Sequence, residues 1–173
     1  MAKGNIFLVG MMGAGKTTLG RALAQRLQLE FADTDKVLVE RTGVPVATIF
    51  EIEGEDGFRR REAAVLAELA LQDGLVIATG GGAILLEENR ALMRSHGTVV
   101  YLRARLESLW ERTRHDSTRP LLATADPQAT LAEILAKREP LYREAAHVIV
   151  DTGAQSASSL AGRVVTALAR HAT

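Results

Sequence analysis

Short runs of consecutive apolar residues, many of them β-branched, recur along this chain: NIFLVG from Asn5, LVIATG from Leu75, TVVYLRA from Thr98 and HVIVDT from His147. Runs of this length without polar alternation are the pattern of strands buried on both faces of a parallel sheet. A fifth run, LEFADTD from Leu29, is shorter and weaker. Between the runs, apolar positions recur at helical spacing: Leu19, Leu23 and Leu27 after the first, and Ala63, Leu66, Ala67 and Ala70 before LVIATG. Asp126 followed by Pro127 predicts an N-cap and first helical turn, opening a helix toward Lys137 that Pro140 should end or kink. The tail after Gly153, AQSASSLAGRVVTALARHAT, predicts one last helix. Strands alternating with helices imply right-handed βαβ units and a three-layer α/β fold. No repeat, linker or low-complexity stretch breaks the pattern, and 173 residues suit one core, so a single domain over 1–173 is expected.

Charge narrows the partners. With 21 basic and 21 acidic side chains the formal net charge is zero, so no global field recruits a polyanion and any anion site must be local. The absence of cysteine excludes a disulfide framework, thiolate metal sites and cysteine catalysis, and is compatible with a reducing, cytoplasmic setting. His96, His115, His147 and His171 lack metal-site spacing. Lys3 ahead of the apolar stretch Ile6–Ala14 imitates an export leader, but Lys16, Thr17 and Thr18 end that stretch and an amphipathic helix follows. No apolar stretch approaches the ~20 residues that span a bilayer, so no membrane partner is expected.

The chemistry begins at LVGMMGAGKTT. Gly10 to Thr17 satisfy G-x-x-x-x-G-K-[ST], directly after a strand and at a helix start, which is the context a phosphate-binding loop requires. Glycines at 10, 13 and 15 let backbone N–H groups turn inward, with the helix N-terminus adding partial positive charge. Met11, Met12, Ala14 and Thr18 complete the loop. Lys16 reaches the terminal phosphates and Thr17 offers a hydroxyl to Mg²⁺, so the cradle fits a nucleoside triphosphate.

Such a loop serves kinases, switches and motors alike, so the acceptor site must be sought elsewhere. ADTDK sets Asp33 and Asp35 two apart at a strand end, where alternation aims both carboxylates the same way. One could support Mg²⁺ through water while the other takes a proton from an attacking hydroxyl; alternatively, one caps a helix beginning near Lys36. FRRRE places Arg59, Arg60 and Arg61 at a helix start with Glu62 on the face of Arg59, and a solvated basic face is the plain reading of the other two. TGGGA, with Gly80, Gly81 and Gly82, is a turn or a place where a ligand meets the backbone closely. RTRHDSTRPLLAT carries Arg112, Arg114 and Arg119 without regular pattern and reads as a mobile basic lid, about 114–124. A nucleic-acid patch fits it less well, because Asp116 interrupts it and only 4% of the chain is aromatic.

The set GMMGAGKTT, DTD, FRRRE, TGGG, RPLL and KREPLY, in this order and spacing, resembles the shikimate kinase family from Gly10 to about Tyr142. The resemblance implies a nucleoside-monophosphate-kinase-like fold with a five-stranded parallel sheet in order 2-3-1-4-5, and MgATP-dependent phosphorylation of the shikimate 3-hydroxyl in aromatic amino-acid synthesis. It implies that Lys16 and Thr17 serve the phosphates and Mg²⁺, and that Asp33 supports the metal through water. Asp35, in a substrate-binding segment of about 34–62, orients or deprotonates the nucleophile. By the same resemblance, Arg59, Arg138 and the backbone of Gly80 to Gly82 would grip the substrate, Arg119 would neutralise the transferring group, and Arg112 would stack on adenine. The loop DTGAQSASS lacks a proline that some members place against the base. A cytoplasmic monomer acting on a small molecule, without nucleic acid or membrane, is expected. Gluconate kinases share the loop and fold type, and a catalytically silent nucleotide binder is the reading from outside enzymes; a full set of site residues argues against the latter.

Overall fold

In the computed structural model of the protein, residues 4–116 and 119–172 are described. Five strands form one parallel sheet: β1 (Asn5–Val9), β2 (Glu30–Asp33), β3 (Leu75–Ala78), β4 (Gly97–Arg103) and β5 (Val148–Asp151), in the order β2-β3-β1-β4-β5. Each apolar run yields its strand, and the order is the one the resemblance implies. Central β1 pairs with β3 and β4, setting Phe7 against Ile77 and Val99. Strands β1 and β3 are buried at every residue, because helices cover both faces of the sheet and no position along them meets water.

The helices are α1 (Lys16–Leu27), α2 (Thr34–Thr42), α3 (Val46–Ala70), α4 (Glu87–His96), α5 (Leu106–Thr113), α6 (Pro127–Ala145) and α7 (Ala157–Ala172). Helix α1 packs on α7, while α4 packs on α3 and α6, giving a layer for each face. Phe7, Leu8, Val76, Ile77, Val99 and Val100 are fully buried in the continuous core between them. Each such side chain stabilises the fold by about 1.5–3 kcal/mol. Buried Asn5 locks the base of the sheet. Its amide donates to the carbonyls of Ala70 and Gln72 and its Oδ1 accepts from Leu75 N, so no polar atom of that side chain is stranded.

Three expectations change. Strand β2 ends at Asp33 and α2 starts at Thr34, two residues earlier than the sequence suggests, so Asp35 stands on the first helical turn and strand alternation does not relate it to Asp33. The cause is capping: Asp33 Oδ1 accepts from the backbone N–H of Asp35 at 3.0 Å and of Lys36 at 3.3 Å. Helix α3 begins well before FRRRE and is broken at Gly54, whose φ of 75° and ψ of 178° separate two limbs. Helix α6 is capped by Asp126 as expected, but Pro140 does not end it and the helix runs on to Ala145. The carbonyl of Ala136 that Pro140 cannot serve lies on an exposed face, while buried Arg138, Tyr142 and Ala145 hold the next turn to the core.

In the segment read as a lid, Pro120–Leu122 form a short 3₁₀ turn whose Leu122 is buried; Ser117 and Thr118 lie outside the described residues. Among the described residues no helix is long and apolar enough to cross a membrane.

Candidate active site

The loop joining β1 to α1 is anchored by its side chains and works through its backbone. Met11, Met12 and Ala14 are buried, fixing the loop to the core beside the positive end of α1. Gly15 caps that helix at φ 94°, a left-handed conformation that glycine takes without strain. The loop walls a cavity of about 230 Å³ that Lys16, Thr17, Thr18, Asp33 and Gly80 also line. Lys16 Nζ donates to the carbonyls of Gly10 and Met11. Burial drags its pKa down to about 8; Asp35 pulls it back up, while Arg119 and Arg138 push it lower.

Thr17 Oγ1 donates to Asp33 Oδ2 at 2.8 Å. The other oxygen of Asp33 is spent on the α2 cap, so this carboxylate is fixed at both ends. A threonine whose proton is directed at a carboxylate keeps its lone pairs for a cation. Hydroxyl and carboxylate oxygens are the donors a hard cation takes, and Mg²⁺ needs few from protein when phosphates and water supply the rest. The pair fits Mg²⁺ on this ground. Among the described residues no group of three or more His, Cys, Asp or Glu side chains is arranged to hold a metal alone.

A second cavity, about 680 Å³, opens beyond Asp35. Its floor is polar: Asp35, Arg59, Glu62, Arg138 and the glycines at 80, 81 and 82. Its wall is apolar, with Val44, Pro45, Phe50, Phe58, Pro120 and Leu121. Arg59 is only 9% exposed and Arg138 4%. Arg59 donates to Glu62 Oε1 at 3.0 Å and lies 5.1 Å from the ring centroid of Phe58, so its plane is held on two sides. Two guanidinium groups in a partly apolar pocket suit a carboxylate on a small cyclic or aliphatic body.

The glycines at 80–82 are needed for room. A Cβ on Gly82 would stand 2.2 Å from Arg59 Nη2, and one on Gly80 would stand 2.3 Å from Glu62 Oε2. What approaches this backbone so closely includes the chain's own Arg59 and Glu62. Asp35 Oδ1 and Glu62 Oε2 are both buried without a hydrogen-bond partner among the described residues. Burial raises the pKa of Asp35 first, and neighbouring Asp33 raises it further, against Lys16, Arg119 and Arg59. Burial likewise raises that of Glu62, against Arg59. Asp35 is thereby a stronger proton acceptor than a solvated aspartate.

Arg119 lines both cavities. Arg112 donates to the carbonyls of Gly13, at 2.9 Å, and Gly153, bridging the mouth of a third cavity of about 260 Å³ beside the loop. Gly153, Gln155 and Ala157 line it. Of the site residues named from the sequence, all but Gly10 and Met11 line one of these three cavities, and the carbonyls of those two accept from Lys16; Arg60 and Arg61 stay exposed, Arg61 paired with Glu53. Sequence reasoning missed Thr34, which accepts from Gly80 N, and Tyr142, which donates to Gly81 O at 2.6 Å; both pin the glycine turn. Tyr142 stands one helical turn after Arg138, which is the spacing that could have exposed it. Glu62 was legible only as a partner of Arg59.

The family model for shikimate kinase matches residues 12–169. A shikimate kinase of Nitrosospira multiformis is 58% identical over 160 residues, 92% of this chain and 82% of that protein. One from Chromobacterium violaceum is 57% identical over 162 residues, 94% of this chain and 88% of that one. Among solved structures, the shikimate kinase of Acinetobacter baumannii in complex with shikimate superposes with a TM-score of 0.95 at 46% identity, covering 98% of this chain and 94% of that one. Matched by that family model over most of its length and well over half identical to the Nitrosospira and Chromobacterium relatives, the chain belongs to the shikimate kinase family.

Proposed function

We propose that this protein transfers the γ-phosphoryl group of ATP to the 3-hydroxyl of shikimate. The observation that carries this reading is a shared wall: Met12, Asp35, Gly80, Gly81 and Arg119 line both the phosphate cavity and the arginine-floored cavity. A hydroxyl held in one therefore faces a phosphoryl group held in the other, across a carboxylate and a guanidinium.

Arg59 and Arg138 take the shikimate carboxylate, and the apolar wall takes the ring. This orients the ring so that a hydroxyl meets Asp35, whose raised pKa suits it to accept the proton as the oxygen attacks. Phosphoryl transfer asks little covalent chemistry of the protein; it asks for in-line placement and for cations aimed at the equatorial oxygens. Lys16 and Arg119 supply those charges. Thr17, with Asp33 fixing its hydroxyl, would hold Mg²⁺, whose chemistry when bound would be to neutralise phosphate charge. Arg112 lies over the base cavity. The cavity-lining groups named here all belong to one chain, so the proposed site needs no residue from a second copy; a cytoplasmic monomer acting on a small molecule is part of the same proposal.

A coupled ADP-release assay with shikimate and gluconate tests the reading. We expect saturable release with shikimate and little with gluconate. Asp35→Asn should cut kcat by about 10²-fold or more while ATP affinity stays within a few-fold. Comparable turnover of gluconate, or a mild Asp35→Asn beside a severe acceptor-side Asp33→Asn, would overturn the substrate or the role of Asp35.

A further inference from the structure

Arg119 lines the two cavities from a short segment anchored by the turn that follows it. Pro120 follows it and excludes helical backbone at Arg119, which sits at φ −98° and ψ 97°. The 3₁₀ turn after it, Pro120–Leu122, is tied down by the buried Leu122 side chain, and Leu122 N donates to Arg119 O. The side chain has its own tether. Arg119 Nε donates to Asp116 Oδ2 at 3.0 Å. This uses the inner edge of the guanidinium. Its two Nη groups make no hydrogen bond among the described residues, although Arg119 lines both the phosphate cavity and the acceptor cavity.

We propose that Asp116 is a positioning residue for phosphoryl transfer: it holds the guanidinium of Arg119 by Nε so that the Nη fork faces the phosphoryl oxygens. A free arginine side chain samples many rotamers, and freezing it at the moment of reaction costs entropy. A tether on Nε fixes the plane beforehand and leaves the bidentate edge for the charge that develops in the transition state. Half-exposed ion pairs of this kind contribute little to stability, so its effect belongs to orientation. Asp116 also brings negative charge toward the phosphates, so its loss should not weaken ATP binding. That combination separates positioning from a structural role.

The inference rests on the reading of Arg119 as a catalytic group, and a double-mutant cycle keeps the two apart. Single-turnover rates and ATP dissociation constants are measured for wild type, Asp116→Ala, Asp116→Asn, Arg119→Ala and the double variant. We expect Asp116→Ala to slow transfer about three- to tenfold with ATP affinity unchanged or slightly tighter. Asp116→Asn, which keeps an acceptor of the same reach, should recover part of the rate. In the Arg119→Ala background, Asp116→Ala should cost nothing further. Equal slowing in both backgrounds would overturn the proposal by showing that Asp116 acts independently of Arg119. A faster Asp116→Ala would overturn it by making the tether a brake. An Arg119→Ala variant that transfers at the wild-type rate would sink the catalytic reading of Arg119 instead.

Discussion

Lys16 shows how a single cation can burden the empty protein and serve the loaded one. Its pKa falls from 10.5 to about 8 because burial withdraws water that two carbonyl partners do not replace. Below pH 8 the ammonium is charged in both folded and unfolded chains, and the cost of its partial burial stands. Between pH 8 and about 10.5 the folded protein has released a proton that the unfolded chain still binds, so stability rises with pH across that window. Lys16→Met should therefore melt about 2–6 °C above wild type at pH 7, with the gap closing toward pH 10. It should also abolish turnover. Phosphate restores the charge, so ATP binding near pH 9 should take up a proton, read as a dependence of calorimetric heat on buffer ionisation enthalpy. No uptake in wild type, or the same uptake in Lys16→Met, would place the titration elsewhere. This residue was legible because its motif is contiguous and its neighbours are set by the loop itself. Glu62, Thr34 and Tyr142 were not, since each acts on a glycine turn distant in sequence.

At the scale of elements, the second limb of α3 lies against the turn after β3, and this contact builds the acceptor floor. Glycine in TGGGA reads as a turn or as room for a ligand; the structure shows that Arg59 and Glu62 crowd that backbone while both line the same cavity as the glycines. The strands could be read because each is a continuous apolar run between helices. The course of α3 could not, because its break at Gly54 is a backbone event that hydrophobic spacing does not record. The start of α2 was missed for a related reason: Asp33 spends one oxygen on its cap and the other on Thr17, and either use alone looks complete in sequence. Gly82→Ala tests the packing directly. The new methyl would fall 2.2–2.3 Å from three atoms of the Arg59 guanidinium. The arginine must move, so shikimate binding should weaken by about 1.5–3 kcal/mol while ATP binding is nearly unchanged. In an Arg59→Ala background the same substitution should cost shikimate binding little more. A titration showing equal loss in both backgrounds would mean that the methyl blocks the substrate itself.

At the scale of the whole molecule, the two cavities share Arg119, and ligands seated in them are expected to be interdependent. Arg119 lines both cavities and is followed by a turn that buried Leu122 fastens, while α5 ends before it with Arg114 as C-cap. A ligand shifts such a segment only by what it gains in one position over another, and two ligands that favour the same position must favour each other by equal factors. Shikimate and a non-hydrolysable ATP analogue should therefore each tighten the other's binding by the same ratio, about five-fold or more, and Arg119→Ala should reduce that ratio toward one. Proteolysis reports the same event. Trypsin cuts poorly before proline, so Arg119–Pro120 is resistant, whereas Arg114, the C-cap of α5 with half-exposed charge, offers a bond at the segment's entrance. Cleavage after Arg114 should be fastest in the empty protein, slower with either ligand, and slowest with both. Arg119→Ala should keep the single-ligand rates and lose the extra protection of the ternary complex. Were the cleavage rate indifferent to both ligands while the affinities stayed coupled, coupling would run through Asp35 and the glycine turn, and closure of the 114–124 segment would have no part in it.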